Sequence, residues 1–413
     1  MLQPVRLKRA LEALRAAAQK SAATHDPKLR DAVVNSKVEE LLAEIAGAAE
    51  SEGLLQHAAQ IFQLFEEIGL PREHSELMGQ VIQGIGKTYE RLGDAAHAYE
   101  AYEHALRLAR EVKDDTLAAG CLRRMGRVMT RMARWDAAAE HFAESQRIQR
   151  RIRDRKGTAE TLCDVGSLHY QKGDLDEAQK SYGKALELAE DLEHTALIIN
   201  LRNNLGIVAN VRGDVDTAIA HYQSCIPLAE QAGLEPLLAQ AWHNLGMAYA
   251  DRYQWKEAGD CYEKAMRLAR KHSIANILGA VHLNRAEMYE ELGDIDMAAV
   301  ACGRALSIFA ASQNVLGEAE VYRVLGKIFS RRNDPITSME MFNLSLDMVK
   351  EVGAPLETAE TYLAMGLAYE RMDYLDDAIR AVEAALPYFE QVQARADREA
   401  AEEHLARLKG RSG

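Results

Sequence analysis

A small residue returns every forty positions along this 413-residue chain: Ala46, Gly86, Gly126, Gly166, Gly206, Gly246, Ala286, Gly326 and Gly366. Twelve residues after each comes a second small side chain, at Ala58, Ala98, Ala138, Ala178, Ala218, Ala258, Ala298, Ser338 and Ala378. Sixteen after comes a larger one in most repeats, at Phe62, Tyr102, Phe142, Tyr182, Tyr222, Tyr262, Cys302, Phe342 and Val382. A fixed period of this length marks stacked supersecondary units, none of which can bury its apolar face alone. The register gives nine units, at 36–75, 76–115, 116–155, 156–195, 196–235, 236–275, 276–315, 316–355 and 356–395.

The interior of each unit follows from its markers. Between the first two stands a turn, written Gly93-Asp94, Gly173-Asp174, Gly213-Asp214 and Gly293-Asp294. Glycine tolerates the left-handed conformation that ends one helix, and aspartate caps the free amides that begin the next. Acids such as Asp176, Glu177 and Asp216 then favour the helix dipole. Proline is scarce and good helix formers are plentiful, so each unit reads as helix A, tight turn, helix B. Two helices joined by so short a turn cross closely, and the small marker on A makes room for the aromatic on B. Leucine at Gly166 should overpack that contact. Residues 1–35 are expected to form an N-terminal helical cap. Residues 396–413 are expected to form a C-terminal capping helix and tail, with Leu405 and Ala406 in the register of another helix A but a highly charged surround.

Segments such as Asn204-Leu205-Gly206, and Leu245-Gly246-Met247-Ala248-Tyr249 through Glu257-Ala258 to Tyr262-Glu263-Lys264-Ala265, resemble tetratricopeptide repeats. The long unit resembles those of kinesin light chain, the LGN/Pins scaffolds, and MalT-type and Rap-type bacterial regulators. The resemblance covers about residues 36–410 and implies an all-α, right-handed α-solenoid that holds other proteins or peptides. Departures are Arg285 at an otherwise aliphatic position, Cys302 and Val382 in place of the aromatic, and a degenerate unit at 36–75, where looser pairing is expected.

Several function classes are disfavoured. The net charge of -13 argues against a nucleic-acid binder. No run is long enough to span a membrane, and none is expected to insert. Five cysteines without a CxxC pair give neither a zinc site nor a complete disulfide framework, so they read as packing residues of a reducing, cytoplasmic compartment. Met1–Ala23 has the composition of a transit peptide, although a capping helix is the preferred reading. Gly84-Ile85-Gly86-Lys87-Thr88 imitates a phosphate loop, but Val81 stands where that motif needs glycine. There is no HExxH and no GxSxG, so neither an enzyme nor a cofactor is expected.

Helix A carries a second, mostly polar stripe at offsets −6, −3, +1, +4 and +5 from its marker. In the resembled family this stripe lines a concave groove. Here it reads Lys87, Arg91, Arg123, Arg127 and Arg131, then Asn200, Asn203, Asn210 and His243, then Glu287, Glu290 and Glu291, then Arg323, Lys327 and Arg331. Offset −2 repeats asparagine at Asn204, Asn244 and Asn284, a position from which the family often bonds a peptide backbone. The family's carboxylate clamp is missing, because Asp164 stands where its asparagine should follow Arg123. From Gly120 to Lys156 eleven basic residues face four acids, a local +7. Like charges at i, i+4 and i+8, as in Arg123, Arg127 and Arg131, repel unless an anion joins them.

The chain therefore reads as a non-enzymatic scaffold or adaptor. Its expected guest is an extended, acidic or phosphorylated segment of another protein, with anions near Arg123 and Arg127 and backbone on the asparagines. The alternative is a sensor domain controlling a transcription factor or signalling enzyme through a peptide or small molecule. Self-association through the groove or terminal helices is compatible with either.

Overall fold

The computed structural model describes residues 94–412 apart from Gln313 and Gln393, together with Gly79, Ile82–Gly84, Gly86, Lys87, Tyr89 and Glu90. The expected N-terminal cap, the unit at 36–75 and Arg91 lie outside these residues. Sixteen helices follow one another from Ala95 onward, and no described residue is in a strand. The chain divides into two compact units, residues 1–168 and 169–413.

In the first unit α1 (Ala95–Val112), α2 (Asp115–Arg131), α3 (Trp135–Ile152) and the start of α4 (Arg155–Gln171) pack around Tyr102, Leu122, Met125 and Phe142. In the second, helix pairs repeat as α5 (Leu175–Asp191), α6 (Thr195–Val211), α7 (Val215–Gln231), α8 (Glu235–Asp251), α9 (Trp255–Lys271), α10 (Ala275–Glu291), α11 (Ile295–Ala311), α12 (Val315–Arg331), α13 (Pro335–Val352), α14 (Pro355–Arg371) and α15 (Leu375–Gln391). The last helix, α16 (Arg395–Ser412), lies on α15 and buries Ala401 and Leu408. Its marker Ala406 is exposed, because the face that receives a helix-B aromatic in other repeats is uncovered here.

The forty-residue marker is a point of contact between helices. A Cβ on Gly126 would stand 2.6 Å from the Phe142 ring, and one on Gly206 2.5 Å from the Tyr222 ring. Where the marker carries its own methyl, at Ala286, the opposing side chain shrinks to Cys302, and both are fully buried. Cys302 is therefore a compensation, not a defect.

The turns have a shorter period than the markers. Left-handed backbone recurs every twenty residues, at Lys113, Ala133, Arg153, Gly173, Glu193, Gly213, Gly233, Tyr253, Ser273 and Gly293, and again at Asn333, Gly353 and Asp373. The A-to-B and B-to-A connections are thus alike, each closing with an αL residue. Expected caps are in place: Asp94 accepts from the His97 amide at 3.1 Å, Asp214 from Thr217 at 3.2 Å and Asp294 from Met297 at 3.2 Å.

Candidate binding groove

Neighbouring A helices lie side by side with a lateral step of one residue, so polar atoms meet across positions forty-one apart in sequence. In the first unit Arg123 donates to Asp164 at 2.8 Å, and Arg131 reaches the Glu90 carbonyl at 3.2 Å. In the second unit Asn244 donates to Asn203 at 3.5 Å, Asn284 Nδ2 faces His243 Nε2 at 3.0 Å, and Asn210 donates to Asp251 at 2.7 Å. Arg331 with Glu290, and Arg411 with Glu370, obey the same rule.

This step changes the meaning of the basic stripe. Arg123 also pairs with Glu160 at 2.8 Å and retains 14% of its side-chain exposure. Arg127 lies 3.8 Å from both Glu90 and Asp164, and Arg131 3.7 Å from the Glu90 carboxylate. The three arginines already have their anions, so their spacing does not require one from outside. Lys87 is exposed. Further along, Lys327 pairs with Glu287 at 3.5 Å and Arg331 with Glu291 at 3.3 Å, while Arg323 pairs with Glu360.

The asparagine-rich stretch leaves several polar atoms over in adjacent repeats, where the charged zones leave single ones, Glu90 Oε1 and Arg323 Nε. Asn203, His243 and Asn244 are buried, Asn204, Asn210 and Asn284 half-buried, and Asn200 exposed. Gln240 donates to Asn244 Oδ1 at 3.1 Å, completing a chain Gln240–Asn244–Asn203 that ends on an unpartnered Asn203 Nδ2. Burial pushes the His243 imidazole down to about 4, so the ring is neutral at pH 7. Its Nε2 is engaged by the Asn284 side-chain amide, and its Nδ1 has no partner. The Asn210 Oδ1 acceptor is likewise unmatched. Each such orphan costs about 1–3 kcal/mol unless something bonds it.

Burial pushes the Tyr170 phenol up, and the carboxylates of Glu360 and Asp397 push it further. Glu320 of α12 is held at about 7 by burial, reinforced by Glu287, Glu360 and Glu357 against the relief from Arg323. It nonetheless keeps 43% of its side-chain surface exposed. Partial burial is thus combined with a recess crowded with carboxylates, Glu287 of α10 and Glu357 and Glu360 of α14. One end of the concavity is therefore amide-rich and the other carboxylate-rich.

Other readings are narrowed too. Four of the five cysteines are buried and all are free; burial pushes the Cys121 and Cys302 thiols up to about 12, as packing residues require. Among the described residues no group of three His, Cys, Asp or Glu could hold a metal ion, and no helix is long and apolar enough to cross a membrane. Arg285, odd in sequence, donates to the Tyr289 hydroxyl at 2.8 Å and lies 3.5 Å from Glu263. The sequence pattern did not disclose an outer ladder of ion pairs thirty-six apart, Asp176–Arg212, Asp216–Arg252 and Asp296–Arg332, each joining an acid in the first turn of a helix B to the arginine that follows the next helix A.

The tetratricopeptide-repeat family model matches residues 77–151, 117–191 and 197–271. No curated protein matches the chain by sequence. Solved structures share the fold at low identity. Aspartyl phosphate phosphatase F from Bacillus subtilis is 12% identical with a TM-score of 0.58, over 95% of each chain. The apo quorum sensor NprR from B. thuringiensis is 14% identical with a TM-score of 0.58, over 86% of this chain and 99% of that one. A Rap protein complexed with competence and sporulation factor is 14% identical with a TM-score of 0.54, over 99% of each. The repeat register, the paired helices and the family match agree, and the chain carries tetratricopeptide repeats.

Proposed function

We propose that this protein is an interaction module whose second unit, residues 169–413, takes an extended peptide segment of a partner along its inner face. The observation that carries this reading is the pair of unspent polar groups, Asn203 Nδ2 and His243 Nδ1, buried on the inner stripe of α6 and α8. The amides and carbonyls of a peptide backbone satisfy such groups whatever the side chains, which suits recognition by backbone. The expected role of Asn200, Asn204, Asn244 and Asn284 is retained in weaker form: Asn244 and Asn284 shape the stretch by bonding their neighbours, and Asn203 and His243 offer the free groups.

The acidic-guest expectation loses its main argument, since Arg123, Arg127 and Arg131 are neutralised by Glu90, Glu160 and Asp164. We place charge reading instead at the carboxylate-rich end, where a cationic side chain would relieve Glu320 of its like-charged neighbours. The test is affinity capture with the wild type and with Asn203→Leu/His243→Leu, partners being identified by mass spectrometry and both proteins checked for equal thermal melting. Loss of the main partner is expected; undiminished capture by the double variant would refute the reading.

A second reading, a sensor domain answering to a peptide, is favoured by similar structures described as a quorum sensor and as a complex with competence and sporulation factor. It differs in predicting a change of state. Small-angle scattering should then show compaction of the chain on adding the captured segment as a synthetic peptide.

A further inference from the structure

The basic run between Gly120 and Lys156 is only half used by the groove. Arg123, Arg127 and Arg131 project from α2 into internal ion pairs, but Arg147 and Arg151 lie on α3, the B helix of that repeat. There they border a recess of about 280 Å³ between α1, the start of α2 and α3. Its floor is apolar, from Ala109, Ala118 and Ile148, and its rim is charged.

The rim holds four cations and two acids. Arg110 is bonded to Glu144 at 2.8 Å, and Arg151 to Asp115 at 2.7 Å, so those four charges cancel. Lys113 and Arg147 are exposed and have no carboxylate partner among the described residues. The recess is thus lined by two uncompensated positive charges. Arg107 and Arg267 stand at the same position as Arg147, but the Lys113–Arg147 pair is not repeated, its counterparts being Arg153 with Glu187, Glu193 with Pro227, Gly233 with Arg267 and Ser273 with Ser307.

We propose that this recess binds a phosphomonoester. Such a group carries about −1.5 to −2 at neutral pH, which matches the uncompensated charge, and it offers three acceptor oxygens to an arginine fork and a lysine ammonium. Arg110 and Arg151 stand ready on either side to share it, their present acids being exposed rim residues that rotate away at little cost. The apolar floor accommodates the carbon stem that bears the phosphate. The lining residues all belong to the first unit, so the proposal does not rest on what binds to residues 169–413.

Fluorescence polarisation with a labelled, phosphoserine-containing peptide of neutral flanks tests the proposal on the full chain, with inorganic phosphate and phenyl phosphate as competitors. Saturable binding is expected, weakened at least tenfold in Lys113→Gln/Arg147→Gln and unchanged in Arg267→Gln, which alters the same position of another repeat. Both altered sites are exposed, so folding should not change, and a thermal melt verifies it. Competition by inorganic phosphate as effective as that of unlabelled phosphopeptide would support the site with a free phosphate compound as its source. Competition by phosphopeptide and phenyl phosphate alone would support it with a phosphorylated side chain as source. Absence of binding, binding equal to that of the unphosphorylated peptide, or binding indifferent to Lys113→Gln/Arg147→Gln overturns the proposal.

Discussion

Arg123 offers a direct measurement of whether the basic stripe is structural. Its guanidinium lies 2.8 Å from Asp164 and 2.8 Å from Glu160, and the side chains retain 14%, 16% and 30% exposure respectively. Replacing Arg123 by Met removes the closest cation from a carboxylate that has little water to turn to. Breaking a buried pair from one side costs about 3–5 kcal/mol. Arg127, 3.8 Å from Asp164 but 42% exposed, would recover about 1 kcal/mol of that by moving closer. The expected net loss for Arg123→Met is therefore about 2–4 kcal/mol. Asp164→Leu strands a guanidinium that still has Glu160, and should cost less. The double variant Arg123→Met/Asp164→Leu replaces the pair by apolar groups and should lie within about 1 kcal/mol of wild type. Urea unfolding followed by circular dichroism gives all four corners of the cycle, read at the first transition because a repeat array need not unfold in one step. If Arg123→Met costs less than about 0.5 kcal/mol, or the two changes simply add, the pair is not structural and the arginine is free for an external anion. Charge reversal of Arg123 would be a poor probe of guest binding for the same reason, since it would crowd carboxylates and unfold the wall under test.

Two further outcomes follow from the packing and from the recess. Gly206→Ala puts a methyl 2.5 Å from the Tyr222 ring, so overpacking of about 1–3 kcal/mol should exceed the helix-propensity gain of about 1 kcal/mol; in a Tyr222→Leu background the same change should become neutral or stabilising, and an identical loss in both backgrounds would contradict the contact. Glu320, raised from an ordinary 4.5 to about 7, favours the folded state fully below pH 4.5 and loses that contribution as pH rises through 7. Glu320→Gln should accordingly flatten the urea midpoint between those values and be the more stable protein at pH 8, by about 1 kcal/mol once partial exposure is allowed for; parallel pH profiles for the two proteins would count against the crowded recess.

What could be read from the residues divides along physical lines. The forty-residue unit was legible because the marker acts by exclusion: a ring sits where a Cβ would go at Gly86, Gly126, Gly206, Gly246 and Gly326, and few residues satisfy that. The twenty-residue recurrence of left-handed turns was not, because Ala133, Tyr253 and Asn333 adopt the conformation as Gly173 and Gly213 do. There the two packed helices impose the turn and the local residue only bears its cost, so residue identity carries little signal.

The same distinction governs the groove. The stripe's position followed from its offset to the marker, but the partners of its charges depend on the lateral step between A helices, one residue beyond the period. That step converts Arg123 and Asp164, and Glu90 and Arg131, from unrelated positions into contacts. It also means that a charge on the inner face can find its partner forty-one positions away, so a run of charge there is weak evidence for a guest. The stronger evidence is what the lattice fails to satisfy. Asn203 Nδ2 and His243 Nδ1 are left over although Asn244 and Asn284 occupy the pairing positions. Polar atoms left open on Asn203 and His243, at neighbouring positions of adjacent repeats, have the pattern of a surface completed by another chain.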